Sequence, residues 1–244
     1  MERCSEFVGV RFHVRTLDAA ADEIMARAGS CKFQYVITPN VQHVVHLHQY
    51  ERTLEPVFRS AWRILCDSRV LSLLGRLRRR RIPVVPGSDL TLRLMERANA
   101  QGWKVAIVGS DEWECAKLQR MYPNLRIDRH TPPMGFISSE PEVEKCVAFV
   151  VRTRAALVFL ALGMPRQELL AARIRAHPDA RGIGLCIGGS IDFITGKQRR
   201  APVWMQKLAL EWLFRLASDP VRLSRRYLIE CPRIFYLALR RAER

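Results

Sequence analysis

The chain reads as an α/β protein: a Rossmann-like, mostly parallel sheet covered by helices, followed by a basic helical C-terminal appendage. Three observations predict this. Short apolar runs suited to buried strands alternate with amphipathic stretches between residues 10 and 196, the βαβα order of parallel sheets. Several runs end in Gly-rich or polar turns that open a helix, the place where open α/β sheets bind ligands. At Lys197 the composition changes in kind, which sets a boundary between a 1–196 core and a 197–244 appendage.

The elements follow in order. Residues 10–14 form a short strand, and Thr16 caps a helix over 17–28, with Asp18 and Asp22 toward its positive end. Residues 33–37 form a strand ending in Thr38-Pro39-Asn40, and a helix runs from 41 toward 51. Thr38 and Asn40 are either helix caps or ligand-binding groups at a strand's C-terminal end. His43 and His46 share a helix face, but no carboxylate or cysteine stands at metal-ligand spacing, so ordinary polar histidines are expected. Residues 62–66 form another strand, and Asp67 at its end is a general base or a cap. Arg76 and Arg78 to Arg81 put five arginines in six residues. They belong in solvent, as a loop or helix end, or form a phosphate or membrane patch. Gly87-Ser88-Asp89 opens an amphipathic helix whose N-terminus can hold a phosphate.

Residues 104–108 form a strand, Gly109-Ser110-Asp111 leads into a helix over 112–121, and a further strand begins within 123–128. Phe136, beside Gly135, is either an exposed aromatic that stacks on a base or a core residue. A helix over 140–153 precedes a central strand at 157–162. Gly163 to Glu168 turn into the next helix, with Gln167 and Glu168 in its first turn near the sheet mouth; Glu168 complements the helix dipole. The run 183–187 ends in Gly188-Gly189, where the backbone can approach a ligand and the following amides can hold an anion. The Asp192 carboxylate can accept hydrogen bonds from hydroxyls. The appendage reads as three helices, from Pro202 through Leu216, from Asp219-Pro220 and from Pro232. Aromatics and leucines alternate there with arginines, as on an interfacial segment or on a helical hairpin packed against the core.

Composition narrows the classes. With 244 residues, 48% of them hydrophobic, the chain can bury a core and is not disordered. No apolar run approaches the roughly 18–20 residues that cross a bilayer, and no apolar leader opens the chain. Residence in the cytosol, or on the cytosolic face of a membrane, is expected. Seven cysteines, at 4, 31, 66, 115, 146, 186 and 231, include no CxxC pair, which fits a reducing compartment without disulfides or zinc. The formal charge is +16, and from Lys197 onward twelve Lys/Arg face four acids, a net of +8. Such a tail suits a polyanionic partner, nucleic acid or an acidic leaflet. Neither GxGxxG nor GxxxxGK[ST] occurs, which argues against dinucleotide oxidoreductases and P-loop NTPases.

Taken together, several turns resemble the WecG/TagA/CpsF family of bacterial glycosyltransferases. They are Thr38-Pro39-Asn40, Asp67, Gly87-Ser88-Asp89, Gly135-Phe136, Gly163-Met164-Pro165-Arg166-Gln167-Glu168 and Gly188-Gly189-Ser190-Ile191-Asp192-Phe193. Arg199-Arg200-Ala201-Pro202, Leu210-Glu211-Trp212-Leu213-Phe214-Arg215-Leu216 and Arg225-Arg226-Tyr227 extend the match, in order, over roughly residues 10–235. The resemblance implies inverting transfer of a sugar of the N-acetylmannosamine, uronic acid or glucose type from a UDP-sugar to a polyprenyl-diphosphate-linked saccharide. The setting it implies is cell-surface polysaccharide assembly, on the inner face of the cytoplasmic membrane, without a metal or other cofactor. An anionic membrane surface and a homo-oligomer are implied partners; nucleic acid is not.

By the same resemblance Asp67 is the base, and Thr38, Asn40 and Gln167 orient the sugar or the acceptor. Gly87, Ser88, Gly163, Gly188 and Gly189 lie against the substrates. Asp192 holds ribose or sugar hydroxyls, Phe136 sits near uracil, and Arg215, Arg222 and Arg225 stabilise the diphosphate. Two positions depart from the pattern. Ser68 stands where the family usually has glycine, so a left-handed turn there would have to relax. Val84 stands where it has arginine, leaving Arg81 or a neighbour to supply that charge. The rival readings are a nucleic-acid binder and a degenerate UDP-sugar-binding regulator; neither needs the ordered set of turns.

Overall fold

The computed structural model describes residues 3–29 and 32–240. Glu2, Cys31, Arg241, Glu243 and Arg244, which enter the charge and cysteine readings above, lie outside the described residues. Two short strands open the chain, β1 (Cys4–Phe7) and β2 (Val10–His13), paired antiparallel. Sequence alternation anticipates only the second. Val8 and Gly9 between them take left-handed φ values of 48° and 75°, the geometry of a two-residue hairpin turn.

A helix follows, α1 (Leu17–Ala28), begun by the expected cap: Thr16 Oγ1 accepts the Ala19 N–H at 3.3 Å. The chain then forms β3 (Gln34–Ile37), α2 (Val41–Gln49), α3 (Glu51–Ser60), β4 (Arg63–Ile64), α4 (Arg69–Leu77) and α5 (Gly87–Ala100). After these come β5 (Lys104–Val108), α6 (Glu112–Met121), β6 (Arg126–His130), α7 (Glu140–Thr153), β7 (Leu157–Leu160), α8 (Arg166–Ala176), β8 (Ile183–Cys186) and α9 (Ser190–Thr195).

The last six strands make one sheet in the order β4-β3-β8-β7-β5-β6, parallel at every pairing. A parallel sheet needs helices on both faces, and strand alternation supplies two cores. Tyr35, Ile37, Val108, Val158 and Leu160 pack with α2, α3, α7 and α8; Val36, Ile107, Leu157, Phe159 and Leu185 pack with α1, α5, α6 and α9. The loops after β4, β3, β8 and β7 come from four adjacent strands, so they gather along one edge of the fold.

Two core helices escape the sequence reading. A single residue, Tyr50, separates α3 from α2, and α3 contains Pro56. Meanwhile α4 runs into the arginine stretch and buries only Leu71 and Gly75. In the appendage the long Trp-rich helix is broken into α10 (Val203–Lys207) and α11 (Glu211–Ser218). Ala209 between them has φ 61°, a left-handed residue that stops a right-handed helix. Then come α12 (Pro220–Ser224), a π-helical turn over Arg225–Glu230, and α13 (Arg233–Arg240).

The appendage is tied back onto the core. Arg200 pairs with Asp89 of α5 at 2.5 Å. Gln42 and His46 of α2 reach Glu230 at 3.1 and 3.3 Å, and Ile234 is buried in the core. Among the described residues no helix is long and apolar enough to cross a membrane.

Candidate active site

A cavity of about 280 Å³ opens where the appendage lies over the β3 and β4 loops. Its inner wall holds Asn40, Asp67 and Val84, and its outer wall holds Arg215, Arg226 and Tyr227. Asp67 reaches it because β4 ends just before, and its backbone N–H is fixed by Pro39 O at 3.1 Å. The Asp67 side chain does not cap its own helix. Its Oδ1 accepts the Gly87 N–H, at the start of α5, at 2.7 Å. Burial pushes the carboxyl up to about 6, against the lowering effect of that bond and of the nearby Arg215 charge. A carboxylate poised close to neutral pH has the proton affinity of a general base.

The two departures from the family pattern resolve physically. Ser68 is extended (φ −113°, ψ 120°), not left-handed, and its side chain caps α4 by accepting the Leu71 N–H at 3.3 Å. Val84 lines the cavity, but Arg81 is exposed and does not. The cationic wall comes from the appendage instead, through Arg200, Arg215 and Arg226. Burial opposes the Arg215 charge, yet Glu211 at 3.0 Å, Tyr227 and Asp67 hold its guanidinium protonated beyond the usual range. The guanidinium also lies over the Phe193 ring, 4.8 Å from its centroid. Arg226 Nε is buried without a hydrogen-bond partner, so a ligand oxygen there would satisfy it.

A second group gathers at the mouths of β7 and β8. Gln167 Oε1 accepts the Gly188 N–H at 2.8 Å. Gly163 and Gly188 are left-handed, with φ 69° and 53°, and a Cβ at Gly188 would meet nothing within 4 Å, so the turn opens outward. Asp192 lies beside Gly189 and accepts from Gln198 Nε2 at 3.0 Å. Burial, then the adjoining Glu114, raises its carboxyl; Lys197 works the other way. Thr38 stands between the two groups: its Oγ1 donates to Cys186 O of β8 at 3.3 Å, and a Cβ on Gly87 would come within 2.8 Å of it. Gly87 is therefore glycine for close packing.

Several sequence expectations fail here. Phe136 is 3% exposed and packs in the core, so it offers no face to a base. Arg222 is exposed and pairs with Asp219 at 2.6 Å; Arg225 is exposed and faces Glu230 at 3.5 Å; neither lines the cavity. Spacing on a continuous helix would have put them beside Arg215, but the chain turns at Asp219 and again in the π-helical segment. Ser88 is half-buried and lines no part of the cavity. Asn40 proves to be both things proposed for it, a cavity residue and the cap of α2, its Oδ1 accepting from Gln42 and His43 N–H. Arg200 and Arg226 belong to the quoted RRAP and RRY runs, and that was the available signal for them. Among the described residues no three His, Cys, Asp or Glu side chains gather as a metal site.

A carboxylate of raised pKa facing arginines across a sheet-mouth cavity is the equipment of a group-transfer enzyme acting on an anionic substrate. The chain belongs to the WecG/TagA/CpsF family: the model described as "Glycosyl transferase WecG/TagA/CpsF family" matches residues 5–244. It is thus a hexosyltransferase. Among its curated relatives is the N-acetylglucosaminyldiphosphoundecaprenol N-acetyl-beta-D-mannosaminyltransferase of Bacillus subtilis (strain 168). That protein is 30% identical over 180 residues, which span 72% of this chain and 68% of the relative.

Proposed function

We propose that this chain moves a sugar of the N-acetylmannosamine, uronic acid or glucose type from a UDP-sugar to a polyprenyl-diphosphate-linked saccharide, with inversion. The observation that carries the reading is Asp67, facing Arg215 and Arg226 across one cavity with its carboxyl raised to about 6. The relative's name, which specifies a diphosphoundecaprenol-linked acceptor, supports the choice of acceptor class. Asp67 takes the proton of the acceptor hydroxyl as that oxygen attacks the donor's anomeric carbon. The bond to the UDP oxygen breaks, and the departing electron pair stays with UDP. One displacement at one carbon inverts its configuration. Positioned proton transfer of this kind is worth about 10²- to 10⁴-fold.

The donor nucleotide belongs at the β7–β8 mouth, where Gly188 and Gly189 let the backbone come close and Asp192 can meet hydroxyls. The acceptor diphosphate belongs in the cavity, against Arg215, Arg226 and Arg200. These cations serve the developing charge without a metal in this reading. The 1–196 core then carries the chemistry and the 197–244 appendage completes the site.

The appendage also presents Trp204, Leu208, Val221, Leu228, Ile229 and Phe235 to solvent. Arginines lie among them, and exposed Arg78 reaches Leu239 O of α13 at 3.5 Å. Apolar side chains interleaved with cations are the composition of a surface lying on an anionic leaflet, so the protein works peripherally on the inner membrane face, where its acceptor is. The test is UDP release from a panel of UDP-sugars, with a polyprenyl-diphosphate-linked acceptor in vesicles. Acceptor-dependent release with one donor is expected and names the sugar. Silence across the panel, with tight salt-sensitive binding to nucleic acid, would overturn the reading.

A further inference from the structure

Between the cavity and the β7–β8 mouth runs a chain of buried polar side chains. Glu168 of α8 is fully buried. Its Oε1 takes Gln167 Nε2 at 2.7 Å and faces His43 Nε2 of α2 at 3.5 Å, while its Oε2 is buried without a partner. Across the ring, His43 Nδ1 stands 2.9 Å from Asn40 Oδ1 and 3.3 Å from Asn40 N.

Hydrogen-bond logic fixes the protons. Asn40 Oδ1 accepts from the backbone N–H of Gln42 at 3.0 Å and of His43 at 3.4 Å. It is therefore the amide oxygen, because a flipped amide would point its N–H groups at two donors. Two acceptors do not meet at 2.9 Å without a proton between them, so Nδ1 carries one. Nε2 faces a buried carboxylate that is already short of donors, and an unpaired buried charge is costly. That places a second proton on the ring. The other titratable groups near the pair are Asp67, beside His43, and Tyr35 and Cys186, beside Glu168. Burial pushes Tyr35 up to about 12 and raises Cys186 well above its ordinary value, so both stay neutral and Glu168 remains the nearest anion.

We propose that His43 is held as an imidazolium between Glu168 and Asn40 and is a positioning residue for the transfer. It pins the Asn40 carbonyl, leaving the Asn40 Nδ2 group, which donates to no described residue, for a ligand in the cavity. Through Glu168 it also sets the Gln167 amide, whose oxygen holds the Gly188 N–H. One charged pair thus keeps the acceptor side and the donor side in register. The effect on rate rests on the transferase reading above; the protonation state does not.

The experiment is nitrogen NMR of histidine-labelled protein at neutral pH, with His43 assigned by comparison with His43→Gln. Both His43 ring nitrogens are expected to carry protons, and in Glu168→Gln one of them is expected to become bare. A bare Nδ1 in the unmutated protein would overturn the proposal. Should Glu168→Gln not fold, the unmutated spectrum and His43→Gln carry the test. With an active donor and acceptor pair, His43→Gln is expected to lower kcat about 10- to 100-fold, as misplacing a positioned group does, with KM for the donor nearly unchanged. An unchanged kcat removes the positioning role. If the unmutated chain transferred no sugar, the transferase reading would fail, and the ring signals would still accept or reject the imidazolium.

Discussion

The core and the appendage are built on opposite terms. In the core, strand residues such as Phe159 and Leu160 are fully buried, and each face of the sheet has its own helices. In the appendage, of the large apolar side chains only Leu223 and Ile234 are buried, while Val203, Trp204, Leu208, Val221 and Phe235 stand in solvent. Burial of apolar area stabilises the first region by itself. The second is held by a few tethers, Arg200 to Asp89, Gln42 and His46 to Glu230, and Ile234. Yet the cavity takes one wall from each. The difference teaches that shape and base come from the self-sufficient half, and cationic charge from the half whose apolar surface remains uncovered.

The comparison can be broken or sharpened by experiment. The largest effect is expected at the core's wall: Asp67→Asn should lower kcat by about 10²- to 10⁴-fold while UDP binding persists. Retained turnover, measured by UDP release, would move the base elsewhere. Next comes a stability contrast between the two regions. Phe159→Ala should cost about 3–5 kcal/mol, whereas exposed Phe235→Ala should cost under about 0.5 kcal/mol. Urea denaturation of both variants measures this, and equal costs would mean the appendage shares the core's cooperativity. The third contrast lies within the appendage. Arg215→Ala should cost about 10²-fold in kcat/KM if it meets developing charge; Arg222→Ala, exposed and paired with Asp219, should stay within about fivefold. Comparable losses would erase the distinction between cavity and outer arginines.

The smallest effect concerns pH. Asp67 acts as a carboxylate, and its carboxyl is raised to about 6. Activity should therefore be full above that value and fall as pH drops through it, by roughly tenfold per unit. An acid limb near pH 4 in the pH–rate profile would place an unperturbed carboxyl in the role.

Much of the core was legible because its signals are local. Thr16 and Asp111 cap their helices by side-chain bonds that short-range sequence reveals, and all-apolar runs such as Leu157–Leu160 announce buried parallel strands. The hairpin at Val8-Gly9 was missed because its turn carries a non-glycine residue at positive φ. The break at Ala209 was missed for the same reason: alanine is a strong helix former, and only tertiary context explains its left-handed backbone. In the site, Asp67 and Asn40 could be found from their place after strands. Arg222 and Arg225 were misplaced because helical spacing was extrapolated through Asp219 and the π-helical turn. His43 and Glu168 looked like an ordinary polar histidine and a dipole complement, since nothing in their separation of 125 positions tells that α2 and α8 bring them together.

The bond from Asp67 to Gly87 has a consequence for heredity. The group that steadies the carboxylate is a main-chain N–H, and a codon change at position 87 leaves it in place unless the new residue is proline. Any side chain there would instead crowd Thr38 Oγ1, at 2.8 Å for the first carbon alone. Mutation can thus damage this anchor by displacing it but has almost no way to retune it by degrees. Lineages that drift to new sugars have to do so through the residues around the base, while the base and its tether pass on together.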